Sequence, residues 1–234
     1  MIGRIAAIVL ALSVLSPPAM ARGTAKPTTV KPARAAPART TPVTIPARVI
    51  PSDAGLLPDM TLGNPTAGIT VIEYASASCP HCAAWKTENW AGFQSKYLVT
   101  GKVRYIFREV LTNPQQYALS AFLIGRCAVA QSKNPADSTP YFTVVNAFFA
   151  GQADYFQTQQ IGTVMADVTA KTGMTTPAMQ ACVSDEPGFT AFMKTMRAHM
   201  EKDGVSSTPT FFVNGKRVDG HEMKDLDAAI AAAK

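Results

Sequence analysis

Two cysteines three residues apart, Cys79 and Cys82, enclose Pro80 and His81. Thiols at this spacing can close a small disulfide ring or give two ligands to a metal. Their neighbours favour the first chemistry. Upstream, residues 68–75 (GITVIEYA) are apolar and β-branched, the pattern of a buried strand. Downstream, residues 80–97 follow a helical pattern. Cys79 is therefore expected at a helix N-terminus, where unpaired N–H groups and partial positive charge stabilise a thiolate. Pro80 is tolerated in the first turn, where its missing N–H is not needed. His81 is expected to add a donor or a positive charge. All three features depress the pKa of Cys79, as a reactive, solvent-reachable thiol requires. Cys82, one turn into the helix, is expected to be more shielded and still able to reach Cys79.

Zinc is the competing reading. One C-x-x-C supplies two ligands, whereas Cys127 and Cys182 stand apart and His199 and His221 are isolated. Glu73 is a further chemical candidate, a carboxylate on an otherwise apolar strand six residues before Cys79. Buried there it has a raised pKa and can ferry the proton of Cys82. On a strand edge it is an ordinary surface residue.

The elements that must hold these groups follow from pattern. A second strand is expected at 103–110 (VRYIFREV). Residues 114–202, rich in Ala, Met, Gln and Phe, read as several helices with breaks near Asn134-Pro135, Gly173 and Glu186-Pro187-Gly188. A third strand at 210–213 runs into Asn214-Gly215, a strong hairpin signal, and residues 216–219 return as a fourth. An alanine-rich helix spans 222–234. The order is β-α-β, a helical block, then β-β-α, an α/β fold with a helical insertion. Phe142, Phe148, Phe149, Tyr155 and Phe156 are expected in the core rather than in a peptide groove.

The charge excludes one class of partner. The 234-residue chain carries a formal +6, but residues 1–51 hold seven basic side chains and no acidic one. Removing those seven from the 22 basic residues leaves 15 against 16 acidic ones from Ser52 onward. A nucleic-acid face needs clustered positive charge on the folded body, so no nucleic-acid partner is expected.

The N-terminus reads as a secretory signal peptide over residues 1–21. Arg4 precedes an eleven-residue apolar stretch, Ile5 to Leu15, and Ala19-Met20-Ala21 fits a small-x-small cleavage site. An uncleaved anchor is the alternative, for which the stretch is short. Residues 22–57 form a Pro/Ala-rich basic linker with a proline about every five residues, which neither helix nor sheet can propagate through. It reads as a solvated spacer, or as a contact for anionic lipid or cell-wall polymer. Residues 58–234 form the folded domain, with its helical insertion at about 114–202. Export implies a compartment where disulfides persist, such as the bacterial periplasm. There Cys127 and Cys182 most simply pair as a structural disulfide, the alternative being two buried free thiols.

Val71-Ile72-Glu73-Tyr74 leading into Cys79-Pro80-His81-Cys82, with Thr208-Pro209-Thr210-Phe211-Phe212-Val213-Asn214-Gly215 near the end, resembles the DsbA-like branch of the thioredoxin superfamily. These are bacterial exported thiol:disulfide oxidoreductases. The resemblance covers about residues 58–234 and implies a thioredoxin-like fold with a helical insertion. It implies that Cys79 is the nucleophile and Cys82 the resolving thiol. Pro209 matches a cis-proline facing the disulfide, which leaves the backbone of Thr208 as an edge for an extended substrate segment. Glu73 matches a buried acid beneath the site. The resemblance further implies donation of the Cys79–Cys82 disulfide to reduced or misfolded exported proteins. It implies reoxidation by a membrane quinone-linked partner, with no organic cofactor; the ligand count above leads us to expect no metal.

Thr208 complicates this, because the resemblance places threonine there in isomerases and reductases as well as in some oxidases. Isomerases of this superfamily also tend to carry a dimerisation domain, which a short Pro/Ala spacer cannot form, so a monomeric oxidase is expected. A disulfide isomerase or reductase is the alternative, and a metal chaperone using Cys79, His81 and Cys82 is a third reading.

Overall fold

The computed structural model describes residues 55–233. The expected signal peptide at 1–21 and most of the expected linker at 22–57 lie outside the described residues. Five strands form one sheet: β1 (Met60–Gly63), β2 (Ile69–Ala75), β3 (Val103–Glu109), β4 (Thr210–Val213) and β5 (Lys216–Arg217), in the order β1-β3-β2-β4-β5. β2 and β3 run parallel, and the other three pairings are antiparallel. β2 is thus the central strand. The parallel β2–β3 pair needs a crossover, which α1 (Pro80–Phe93) and a π-helical segment (Gln94–Leu98) supply. That continuation is why the helical pattern runs to Tyr97.

The helical insertion follows β3 as α2 (Gln115–Ala130), α3 (Thr139–Thr158), α4 (Gly162–Thr172), α5 (Thr176–Val183) and α6 (Glu186–Asp203). The closing half is β4, β5 and α7 (Met223–Ala232). The α/β architecture with its insertion is as the sequence led us to expect, with three differences. β1 is an additional strand of four residues, too short for alternation to register, and Gly63 ends it at φ +84°. A Cβ at Gly63 would collide with the carbonyl oxygen of Val103. The insertion also breaks between α3 and α4, where Gln159 adopts a left-handed φ of 57° without a glycine or proline to announce it. The break expected near Glu186-Pro187-Gly188 falls at Ser184-Asp185, between α5 and α6, and Pro187 is accommodated in the first turn of α6, where its missing N–H is not needed. At the hairpin, Asn214 and Gly215 both have positive φ (46° and 79°), as a tight two-residue turn between twisted strands requires, and β5 is shorter than expected.

Strand alternation divides the core. Val71, Glu73 and Ala75 share a face with Val103, Tyr105 and Phe107, and this face packs on the main core together with Cys82, Trp85, Phe93 and the aromatic residues of α3. Tyr74 and Phe212 point the other way into a smaller cluster with Val110 and Val205. Phe142, Phe148 and Phe149 are buried as expected, whereas Tyr155 and Phe156 are half-exposed and pack on Tyr117.

Two features tie the insertion down. Cys127 of α2 is bonded to Cys182 of α5, with their Cα atoms 6.1 Å apart across 55 residues of chain. The second is an ion pair, almost wholly buried, between β3 and α2. Arg126 Nε and Nη2 donate to the two carboxylate oxygens of Glu109 at 2.7 and 2.8 Å. Arg126 Nη1 donates to the Pro58 carbonyl at 3.1 Å, and the Tyr141 hydroxyl donates to Glu109 at 3.2 Å. Replacing both Cys127 and Cys182 by alanine is expected to cost about 2–4 kcal/mol of unfolding free energy in a urea titration. The same pair of substitutions should leave the Cys79/Cys82 redox equilibrium unmoved.

Candidate active site

β2 ends at Ala75, and Ser76-Ala77-Ser78 carries the chain to α1. The loop is held from both ends. Cys79 N–H donates to the Ser76 carbonyl at 3.1 Å, and the Ser78 hydroxyl donates to the Thr112 carbonyl at 2.7 Å. Cys79 thereby becomes the N-cap of α1, with extended backbone (φ −86°, ψ 117°) and Pro80 in the first turn. Its Sγ accepts the Cys82 N–H at 3.4 Å. Both thiols are free.

The two sulfurs have opposite surroundings. Hydrogen bonding from the Cys82 thiol, the Thr208 side chain and the N–H groups of Cys82 and His81 outweighs burial, and draws Cys79 from an ordinary 9.0 down to about 5. Cys82 is fully buried, and burial together with the nearby Cys79 pushes its thiol far up. One expectation needs correcting. Cys79 is 6% exposed, a narrow window rather than an open surface, because the cap and the Thr208 segment close over it. His81 is exposed, and the donor it gives Cys79 is its backbone N–H.

A depressed thiol makes the reduced protein's stability depend on pH. The contribution is complete above about pH 9, and falls away as the pH drops through about 5. The unfolding midpoint of the reduced form, referred to that of the disulfide form, should therefore climb from about pH 5 to about pH 9. A difference that stays level across that range contradicts the thiolate.

Across from the thiol, the Thr208–Pro209 peptide is cis, and the Thr208 carbonyl accepts from Cys79 Sγ at 3.4 Å. Thr208 is half-buried and Pro209 is buried. Glu73 lies beneath the site with no exposed surface. One of its oxygens, Oε2, accepts from the Tyr105 hydroxyl and pairs with Lys86 Nζ at 3.4 Å. Lys86 Nζ also donates to Tyr105 at 3.0 Å and sits 3.5 Å over the Trp90 ring. Burial lowers the Lys86 pKa against the pull of Glu73. The other oxygen, Glu73 Oε1, is buried with no hydrogen-bond partner. Lys86 and Tyr105 are functional candidates that sequence reasoning missed. Lys86 was findable, since it lies four residues after Cys82 on the apolar face of α1. Tyr105 was not, because only strand register sets it diagonal to Glu73.

Gln152 of α3, 4% exposed, was also missed; its amide donates to the carbonyls of Ala77 at 2.7 Å and Cys79 at 3.2 Å. The remaining histidines stand outside this constellation. His199 is half-buried beside Asp59, and His221 is exposed. Among the described residues, no group of three or more His, Cys, Asp or Glu is placed to hold a metal, and no helix is long and apolar enough to cross a membrane.

The family model described as Thioredoxin matches residues 56–232. A Rickettsia bellii protein assigned as a protein-disulfide oxidoreductase is 26% identical over 175 residues, covering 75% of this chain and 64% of that protein. The chain thus spans less than two thirds of the length of that relative. Disulfide bond formation protein D of Bacillus subtilis is 21% identical over 168 residues, covering 70% of this chain and 73% of that protein. Among solved structures, Wolbachia pipientis alpha-DsbA1 superposes with a TM-score of 0.64 at 25% identity, covering 76% of this chain and 92% of that one. Oxidised BdbD of Bacillus subtilis, at 17% identity and a TM-score of 0.58, covers 75% of this chain and 92% of its own and shares the fold.

Proposed function

This chain belongs to the thioredoxin family, in its DsbA-like branch, and on that premise we propose that it is an exported thiol:disulfide oxidoreductase that donates its Cys79–Cys82 disulfide. The observation that carries this reading is the polarity of the dithiol. A capped sulfur held down to about 5 stands over a fully buried partner whose thiol is pushed far up.

In the first step a substrate thiolate attacks Cys79 Sγ. The Cys79–Cys82 bond breaks, and its electron pair leaves on Cys82, which takes up a proton. In the second step another thiolate of the substrate attacks the substrate's own sulfur in the mixed disulfide, and Cys79 departs as a thiolate. Two electrons have passed to the dithiol, and the substrate leaves with a new disulfide. The low pKa makes Cys79 a good leaving group and stabilises the reduced form, so the disulfide is strongly oxidising. Glu73 Oε1 is the vacant buried acceptor suited to holding the proton that Cys82 gains and loses, while Tyr105 and Lys86 occupy Oε2. The Thr208 segment beside Cys79 provides backbone groups for an extended substrate.

In this reading the substrates are reduced or misfolded proteins in the periplasm, and a membrane quinone-linked partner takes the electrons back from the dithiol. The protein works as a monomer without an organic cofactor. Equilibration with glutathione, with the Cys79 titration followed alongside, tests the assignment. The pair should be mostly reduced at glutathione ratios that leave structural disulfides closed. A pair that stays oxidised, with Cys79 titrating as an ordinary thiol, overturns it. Rescue of scrambled disulfides by a weakly oxidising couple would favour the isomerase reading that Thr208 keeps in play.

A further inference from the structure

The helical insertion reaches the dithiol loop through Gln152. Its Nε2 donates to two carbonyl oxygens, those of Ala77 and Cys79. Two acceptors fix which way the amide faces, since only its NH2 end can donate. The Cys79 carbonyl also accepts the Ala83 N–H at 3.1 Å, the opening hydrogen bond of α1. Gln152 therefore grips the residue that caps the helix and the residue two positions before it. The side chain is almost wholly buried, so its donors have no water to return to and are committed to this loop.

We propose that Gln152 is a positioning residue for the redox couple. It holds the Ala77–Cys79 backbone so that the N–H groups of His81 and Cys82 stay aimed at Cys79 Sγ, and it brings the positive end of an amide dipole to the loop that carries the thiolate. In this way the insertion, and not only the sheet and α1, sets how stable the reduced dithiol is. The proposal rests on the reading of Cys79 and Cys82 as a redox couple.

Two substitutions in the full chain test it. Gln152→Leu removes both donors at similar volume. Gln152→Glu, once ionised, sets an acceptor-only carboxylate against the same two carbonyls. Ultraviolet absorbance of the thiolate follows Cys79, and exchange with glutathione follows the couple. In the leucine variant the Cys79 titration should move up by about one pH unit, and the disulfide should become up to about tenfold harder to reduce at neutral pH. The glutamate variant should move further in the same direction.

Variants that lower the unfolding midpoint but leave both the titration and the glutathione equilibrium in place would reduce Gln152 to packing and overturn the proposal. If the leucine variant does not fold, an unmoved Cys79 titration in the glutamate variant overturns it equally. The wild-type titration separates the two levels of argument. An ordinary thiol value there removes the redox couple itself, whereas a low value that neither variant shifts removes only the role of Gln152.

Discussion

Replacing Cys79 by serine is expected to reduce oxidation of a reduced test protein by at least about a thousandfold, the scale of losing a nucleophile that works as a unit with its partner. The serine keeps the cap geometry, since an oxygen at the N-cap accepts the Cys82 N–H at least as well as sulfur does. Folding should survive, and activity should not. The reciprocal change separates the roles of the two thiols. Cys82→Ser has no disulfide to donate but leaves Cys79 reactive. Offered a protein that already carries a disulfide, the Cys79 thiolate attacks it and displaces one of its sulfurs as a thiolate, and with no Cys82 to release it the covalent adduct should accumulate on non-reducing gels. The asymmetry in burial and ionisation requires this order. If Cys82→Ser loses activity without trapping anything while Cys79→Ser forms the adduct, the roles are reversed and the mechanism above is wrong.

Arg126→Met should produce the largest loss of stability, about 3–5 kcal/mol, because it strands the Glu109 carboxylate inside the protein. The intact pair is bidentate and has almost no solvent contact, so water cannot replace the guanidinium. Methionine fills much of the same volume, which keeps lost packing from dominating the result. Adding Glu109→Gln to the same chain should restore much of the loss, since a neutral amide has no charge to strand. Urea unfolding of the two single variants and the double variant reads this directly. A single variant within about 1 kcal/mol of wild type would mean that water or another cation reaches Glu109. The Cys79 titration should be unaffected, as Arg126 lies in a separate network tying β3, α2 and the Pro58 segment together.

Local chemistry was the part most legible in the sequence. The Cys79-Pro80-His81-Cys82 tetrad after an apolar strand fixes the cap, because a strand, a proline and a helix pattern leave the first cysteine only one place to sit. The order of the two halves and the insertion could also be read, since Asn134-Pro135 and Gly173 interrupt the helical pattern plainly. Long-range pairing left little trace. Tyr105 meets Glu73 only because β3 lies parallel to β2 in one register, and a slip of one residue would turn it to the other face. Gln152 belongs to a block that the sequence marks only as helical, and nothing in its neighbours signals the loop it holds. β1 escaped because Met60–Gly63 is too short for a pattern, and the α3–α4 break escaped because Gln159 adopts its left-handed conformation without the residue that usually marks one.

The sheet borders have a consequence for a protein whose proposed partners are unfolded chains. One border strand, β5, is two residues long and presents Lys216 and Arg217 to solvent; the other, β1, stops after four residues at Gly63. Neither offers a stranger's backbone a long, flat, apolar ladder to extend. Such a molecule can sit among sticky, half-made polypeptides without seeding their aggregation.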